Sequence, residues 1–279
     1  MGQVRVRYNQ NDIENVGKML DFYRLNTVCS AASCPNMGEC FKRKTATFMI
    51  LGSQCTRNCR FCNITNGAPD RVDKDEPERI AEAIAAMGIK HSVITSVTRD
   101  DLANGGAEQF AAVIKAIRKL SDNTTVEVLI PDFKGSREAL EIVLKAEPDV
   151  LNHNIETVKR LYSEVRPEAN YDRSLRLLQR AKEIKPDVIT KTGIMVGLGE
   201  TEQEVLELMD DVRSTECDLI TIGQYMQPTN GHIPVYEYIS KEQFDRYREA
   251  GQKKGFMYVA SGTLVRSSYR AEEALKSGK

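Results

Sequence analysis

The chain has 279 residues, with 39 Lys plus Arg against 40 Asp plus Glu, a formal net charge of −1 and 41% hydrophobic residues. That composition is globular, the length is ample for a large α/β core, and the balanced, scattered charge excludes the electrostatic footprint of a nucleic-acid binder. No apolar run reaches the roughly 18 residues of a membrane-spanning helix, and the first ten residues hold no apolar signal core, so a cytoplasmic protein without membrane or nucleic-acid partners is expected.

Residues 1–46 read as an N-terminal extension, in which Cys29, Cys34 and Cys40 form a C-x4-C-x5-C triplet. A β-type run at 47–52 opens a barrel region at 47–225, and Cys55, Cys59 and Cys62 follow it at once with C-x3-C-x2-C spacing. Ile80, Ala83, Ile84 and Met87 then recur at i, i+3, i+4 and i+7, the signature of an amphipathic helix. Strand-like runs at 92–97, 125–131, 149–153, 189–196 and 218–223 alternate with further helical stripes. Phe110, Val113, Ile114, Ile117 and Leu120 make one such stripe, and Val205, Leu208, Met209 and Val212 another. Residues 226–279 read as a C-terminal extension, with a helix from Lys241 and a further strand at 256–261. Alternating strands and helices imply right-handed βαβ units and a parallel sheet, which both a doubly wound fold and a barrel satisfy. Gly193, Gly197 and Gly199 lack the G-x-G-x-x-G spacing and fall at the fifth strand, against a dinucleotide fold. The expected architecture is therefore α/β, a partial barrel of about six βα units with functional residues at the strand C-terminal ends.

Six of the seven cysteines fall between positions 29 and 62, and Cys217 stands alone. Disulfide frameworks belong to small secreted chains, whereas clustered thiols in a long signal-free chain are more often metal ligands. Neither triplet has a fourth Cys or His nearby to complete a structural zinc site. An iron–sulfur cubane held by three thiolates keeps one iron open for a substrate or cofactor.

The 55–62 loop, with Phe61 ahead of its third cysteine, resembles the signature of the radical S-adenosylmethionine superfamily. Six further segments are similar to the lipoyl synthase family within it. They are T-V-C-S-A-A-S-C-P-N-M-G-E-C at 27–40, S-V-T-R-D-D-L-A-N-G-G-A at 96–107, N-H-N-I-E-T at 152–157, G-L-G-E-T at 197–201, G-Q-Y-M-Q-P-T at 223–229 and V-A-S-G-T-L-V-R-S-S-Y-R-A at 259–271. The resemblance implies a sulfurtransferase on a radical-SAM barrel, inserting two sulfur atoms at carbons 6 and 8 of a protein-bound octanoyl chain. It also implies two [4Fe-4S] clusters and S-adenosylmethionine as cofactors. Cys55, Cys59 and Cys62 would hold the cluster that meets S-adenosylmethionine. Cys29, Cys34, Cys40 and Ser268, the second serine of R-S-S-Y, would hold a sacrificial auxiliary cluster that donates sulfur. The implied partners are an octanoylated lipoyl-domain or glycine-cleavage carrier protein, an electron donor such as ferredoxin or flavodoxin, and an iron–sulfur carrier for cluster repair. A different sulfur-inserting or dehydrogenating radical enzyme, or a noncatalytic iron–sulfur carrier, are the competing readings.

Around S-adenosylmethionine the resemblance places Phe61 near adenine and Asn104 and Gly105 at the methionyl ammonium. It places Asn154 and Glu156 at a cofactor-binding strand end with Glu156 at the ribose, Arg166 at the methionyl carboxylate, and Gly197 and Gly199 with Glu200 against adenine. Arg266 falls near the auxiliary cluster or the substrate. Taken as residues alone, the same positions have plainer roles: Asn104 and Gly105 as loop and helix cap, Glu156 as an acid at a helix N-terminus, Arg166 in a surface ion pair, Ser268 as a cap. His91, His153 and His232 form no metal set. Only His232 sits in a segment suited to a pocket, and Gln224 and Tyr225 are expected along an acyl channel. Cys217 reads as an inert buried thiol, and Met195 and Met209 as core.

Overall fold

The apolar, β-rich runs assemble side by side into one eight-stranded sheet. The computed structural model describes residues 17–28, 36–42 and 45–268. In it β1 (Asn26–Thr27) lies antiparallel on β2 (Thr45–Ile50). Then β3 (His91–Ser96), β4 (Thr125–Leu129), β5 (Val150–Asn152), β6 (Ile189–Val196), β7 (Leu219–Gln224) and β8 (Tyr258–Gly262) follow, each parallel to the strand before it. Helix α1 (Met37–Lys42) precedes β2. The parallel crossovers carry α2 (Glu76–Met87), α3 (Ala107–Leu120), α4 (Arg137–Lys145), α5 (Tyr162–Val165) with α6 (Tyr171–Ile184), α7 (Glu202–Arg213) and α8 (Lys241–Lys253).

Spatial order repeats chain order throughout, from β1 to β8. A doubly wound sheet would reverse direction at a switch point; this sheet never does, so it curls as a barrel does. No pairing joins β8 back to β1 among the described residues, which leaves the barrel partial. The six βα units run from β2 to α8, and the further strand expected at 256–261 adds a seventh parallel strand as β8. Among the described residues no helix is long and apolar enough to cross a membrane.

Strand alternation sorts the side chains into two environments. Outward-facing Ile94, Val128 and Leu151 pack with Phe110, Val113, Ile114 and Ile117 of α3. Leu120, last in that stripe and last in the helix, is exposed. Outward-facing Val196, Ile220 and Ile222 pack with Val205, Leu208, Met209 and Val212 of α7 and Phe244 of α8. Inside, Val150, Leu219, Ile189 and Tyr258 form an apolar floor. Above it Lys191 Nζ donates to both Glu127 carboxylate oxygens at 2.9 and 3.0 Å, and Asn152 Nδ2 donates to Oε1 at 2.8 Å. Burial would raise the Glu127 pKa, but Lys191 and His91 outweigh it and hold it at about 2. Above this layer, Gly193 on β6 leaves room for the Thr221 and Asn154 side chains, and Gly223 on β7 for the Val265 backbone.

Candidate active site

The chain leaves β2 through Leu51 and Gly52, both with positive φ, and the turn is pinned from three sides. Leu51 N–H donates to Glu76 Oε2 at 3.1 Å, Gln109 Nε2 donates to the same oxygen at 2.9 Å, and Arg99 Nη1 donates to the Leu51 carbonyl at 3.3 Å. The cysteine loop that follows is tied into the barrel at nearly every residue. Cys55 N–H donates to Thr65 O at 2.9 Å, Thr56 N–H to Thr98 O at 3.0 Å, and Arg60 N–H to Val165 O at 3.0 Å. Asn58 N–H donates to the Glu168 carboxylate at 3.1 Å. His232 Nε2 donates to the Cys62 carbonyl at 3.0 Å and so joins segment 226–239 to the loop.

Arg57, between the first two cysteines, carries the strongest anchor. It grips Asp100 through Nε and Nη2 at 2.7 and 3.0 Å and reaches Asp132 through Nη2 at 2.7 Å. Asp132 is also met by Arg173 Nε at 2.8 Å. Burial would push the Asp132 pKa up, but Arg57 and its neighbours hold it well below the usual carboxylate range. Arg57, Asp100 and Asp132 anchor the loop, and the cysteine pattern alone does not reveal them. The signal was an arginine inside the triplet together with the acidic pair at 100–101.

Cys55, Cys59 and Cys62 are half-buried, make no disulfide, and lie close enough to influence one another electrostatically. Cys55 Sγ accepts N–H from Thr98 at 3.3 Å and from Arg57 at 3.5 Å. Burial pushes the Cys62 thiol up to about 12 and raises Cys59 as well, where Arg166 acts in the opposite direction. Among the described residues no group of three or more His, Cys, Asp and Glu side chains is placed to hold a single metal ion.

Glu156 and Arg166 face this triplet. Glu156 is not at a helix N-terminus: it has φ 71° and forms a β-bridge with Ile194 beside β6. Burial raises its pKa, against Arg166 and the 3.0 Å hydrogen bond from Asn154 Nδ2. Arg166 makes no surface ion pair. It is 9% exposed, donates through Nη1 to Asn154 O, Ile155 O and Tyr162 Oη at 2.9, 3.3 and 2.9 Å, and lies 5.4 Å from the Tyr162 ring centroid. Its Nε and Asn154 Oδ1 are buried polar atoms without partners, as groups awaiting a ligand would be.

The remaining expected residues fall around this centre. Phe61 is partly buried against the core on the β6–β8 side. Asn104 Oδ1 accepts Gly106 N–H at 3.0 Å in a turn ahead of α3, whose N-cap Gly106 has no side-chain cap, and Gly105 has φ 61° with the Phe133 ring where a Cβ would go. Gly197 and Gly199 have φ 96° and 106°, and their turn is closed by Glu200, whose carboxylate accepts from Gly197 N–H at 2.5 Å and Leu198 N–H at 2.9 Å. Gln224 and Tyr225 line no channel: both are buried, Gln224 bonded to Tyr225 O, Glu237 O and Ile239 N–H, and Tyr225 Oη bonded to Ile233 O. Cys217 is fully buried with its thiol pushed up to about 12 by burial, an inert site.

Cys29 and Cys34 lie outside the described residues. Cys40 is on α1, and Ser268 follows the loop that caps β8. Asn36, just ahead of α1, donates through Nδ2 to Leu264 O at 2.6 Å and ties these segments together across the chain. Gly223 permits this seat, because a Cβ there would collide with the Val265 carbonyl. Arg266 folds back, donating through Nη1 to Val265 O at 2.7 Å.

With this geometry in view, the radical SAM superfamily pattern matches residues 49–212, the stretch from β2 through α7. The lipoyl synthase of Caldanaerobacter subterraneus subsp. tengcongensis is 57% identical over 272 residues, covering 98% of this chain and 95% of that one. That of Alkaliphilus metalliredigens is 54% identical over 265 residues, covering 95% and 91%. The chain belongs to the lipoyl synthase family. It is a radical SAM enzyme, and the cofactors of a lipoyl synthase are S-adenosylmethionine and [4Fe-4S] clusters, two in this family. The fold agrees: the [FeFe]-hydrogenase maturase of Carboxydothermus hydrogenoformans superposes with a TM-score of 0.59 at 15% identity, covering 97% of this chain and 80% of that one.

Proposed function

We propose that Cys55, Cys59 and Cys62 hold the cluster that meets S-adenosylmethionine, and that Cys29, Cys34, Cys40 and Ser268 hold the auxiliary cluster. The reaction is the insertion of two sulfur atoms at carbons 6 and 8 of an octanoyl chain on a carrier protein, a lipoyl domain or glycine-cleavage carrier. The carrying observation is the meeting of three thiols with Glu156, Asn154 and Arg166 at the strand C-terminal mouth, where Arg166 Nε and Asn154 Oδ1 have no partners. When bound, these groups supply one-electron chemistry able to take hydrogen from an unactivated methylene, and the sulfur that replaces it.

The chain supplies placement. Backbone N–H groups of Arg57 and Thr98 donate to Cys55 Sγ and fix its direction. The Arg166 fork suits the methionyl carboxylate, Glu156 the ribose hydroxyls, and Asn104 and Gly105 the ammonium. Phe61 and the Gly197–Gly199 turn bracket the adenine. A serine oxygen is a harder ligand than thiolate, so Ser268 gives the auxiliary cluster a labile corner suited to losing sulfur. Arg266 beside it faces the auxiliary cluster or the substrate. A ferredoxin or flavodoxin donates electrons, an iron–sulfur carrier rebuilds the auxiliary cluster, and the setting is cytoplasmic.

The test is an anaerobic incubation of the reconstituted, reduced protein with S-adenosylmethionine and an octanoyl-lysine peptide, read by mass spectrometry. Two added sulfurs with 5′-deoxyadenosine are expected. Deoxyadenosine without peptide sulfur would overturn the substrate, and neither product from fully loaded protein would overturn the cluster assignment.

A further inference from the structure

We propose that His153, Ser174 and Tyr162 are positioning residues that orient the Arg166 guanidinium for S-adenosylmethionine. The proposal rests on the reading of Arg166 just given. The four residues come from three places: His153 follows β5, Tyr162 begins α5 and Arg166 is the residue just past its end, and Ser174 lies on α6. All are buried, at 1%, 4%, 9% and 0% exposed for His153, Tyr162, Arg166 and Ser174.

Their hydrogen bonds have only one consistent direction. The Ile130 carbonyl can only accept, so His153 Nδ1, 2.9 Å away, is the protonated nitrogen. In a neutral imidazole Nε2 must then accept, and Ser174 Oγ at 3.0 Å is its donor. With the serine proton committed, Tyr162 Oη donates to Ser174 Oγ at 2.9 Å. The phenol oxygen is left as an acceptor, and Arg166 Nη1 fills it at 2.9 Å. Burial and the nearby Arg166 lower the His153 pKa to about 4, which keeps the ring neutral as the direction requires.

The chain therefore ends on one edge of the guanidinium. Nη1 is consumed by Tyr162 and two carbonyls, while Nε stays unpartnered next to Cys59 and Glu156. A guanidinium recognises a carboxylate through a planar fork, so fixing its plane beforehand removes an ordering cost from ligand binding. The Tyr162 ring, 5.4 Å from the guanidinium carbon, fixes that plane from a second direction.

The experiment is equilibrium dialysis of labelled S-adenosylmethionine against anaerobically reconstituted, unreduced protein, which binds without turnover, with iron, sulfide and far-UV circular dichroism as controls. Arg166→Met should weaken binding most. Tyr162→Phe should weaken it about tenfold and Ser174→Ala several-fold, the size of one misaligned charged hydrogen bond. His153→Gln, whose amide supplies both a donor and an acceptor, should bind nearly as the parent, and His153→Phe should not. If Arg166→Met weakens binding while Tyr162→Phe and Ser174→Ala bind as the parent, the chain is packing only and the proposal is wrong. If Arg166→Met itself binds normally, the reading of Arg166 fails and takes the proposal with it. Should Tyr162→Phe lose its iron, Ser174→Ala decides alone.

Discussion

Arg57 shows how one side chain can hold a reactive loop in shape before any metal arrives. Its side chain is 4% exposed and that of Asp132 is 0% exposed, so neither charge has water to fall back on. Arg57→Met leaves the buried Asp132 carboxylate with Arg173 and the Lys134 N–H, and breaking a buried pair of this kind costs about 3–5 kcal/mol. Urea unfolding should show a midpoint shift of that order, and the variant should lose iron to a chelator faster than the parent; an unchanged midpoint would place the pair's energy elsewhere. His153 gives a pH dependence with a definite sign. Its folded pKa of about 4 lies below the ordinary 6.5, so the unfolded chain takes up a proton before the folded one does. Stability from this group is complete above pH 6.5 and is lost as pH falls toward 4, by on the order of 3 kcal/mol. His153→Gln removes the titration, so its stability between pH 7 and 4.5 should fall less steeply than that of the parent in denaturant titrations.

At the scale of elements, the segment before α1 meets the loop after β8 through a buried amide. Asn36 Nδ2 reaches Leu264 O, registering the helix that bears Cys40 against the loop that leads to Ser268. Asn36→Ala removes that clasp without touching a proposed iron ligand, so its effect separates the two clusters. Reconstituted iron should fall from about eight per chain toward about four, with cleavage of S-adenosylmethionine retained and peptide sulfur lost. Equal loss of both clusters would show that the clasp serves the whole barrel. The strands that carry the site were legible because their β-branched runs are bounded by polar turns; β6 occupies the expected 189–196, and the others shift by one or two residues. The local structure at Glu156 was not legible. Asn154 and Glu156 read equally well as a helix start, and only pairing with Ile194, far along the chain on β6, turns Glu156 into a bridge residue with positive φ. The same holds for Gln224 and Tyr225, whose polar groups are consumed by segment 233–239, a contact no local pattern announces.

At the scale of the molecule, alternation of strands and helices left two architectures open, and only the unbroken order from β1 to β8 decides for a barrel. That order explains why the site was partly readable: a barrel gathers the C-terminal ends of β2 to β7 at one mouth, so residues just after predicted strands converge there. The interior beneath was hidden, since the Glu127 and Lys191 pair comes from two strands 64 positions apart. Both main cores lie between the sheet and the helices, and the cysteine loop meets their edges through the partly buried Cys55, Phe61 and Ile64. The loop itself hangs on protein groups at Thr65, Thr98, Asp100, Asp132, Val165 and Glu168. Stability of the barrel therefore does not pass through iron. Anaerobic removal of iron with a strong chelator should leave the far-UV circular dichroism and the hydrogen-exchange protection of β2 to β8 essentially unchanged, with loss of protection confined to segments near the cysteines. Global loss of protection on iron removal would mean that cluster binding supplies folding energy for the whole barrel, as in small metal-dependent domains, and that the protein contacts around the 55–62 loop are too weak to hold it unaided.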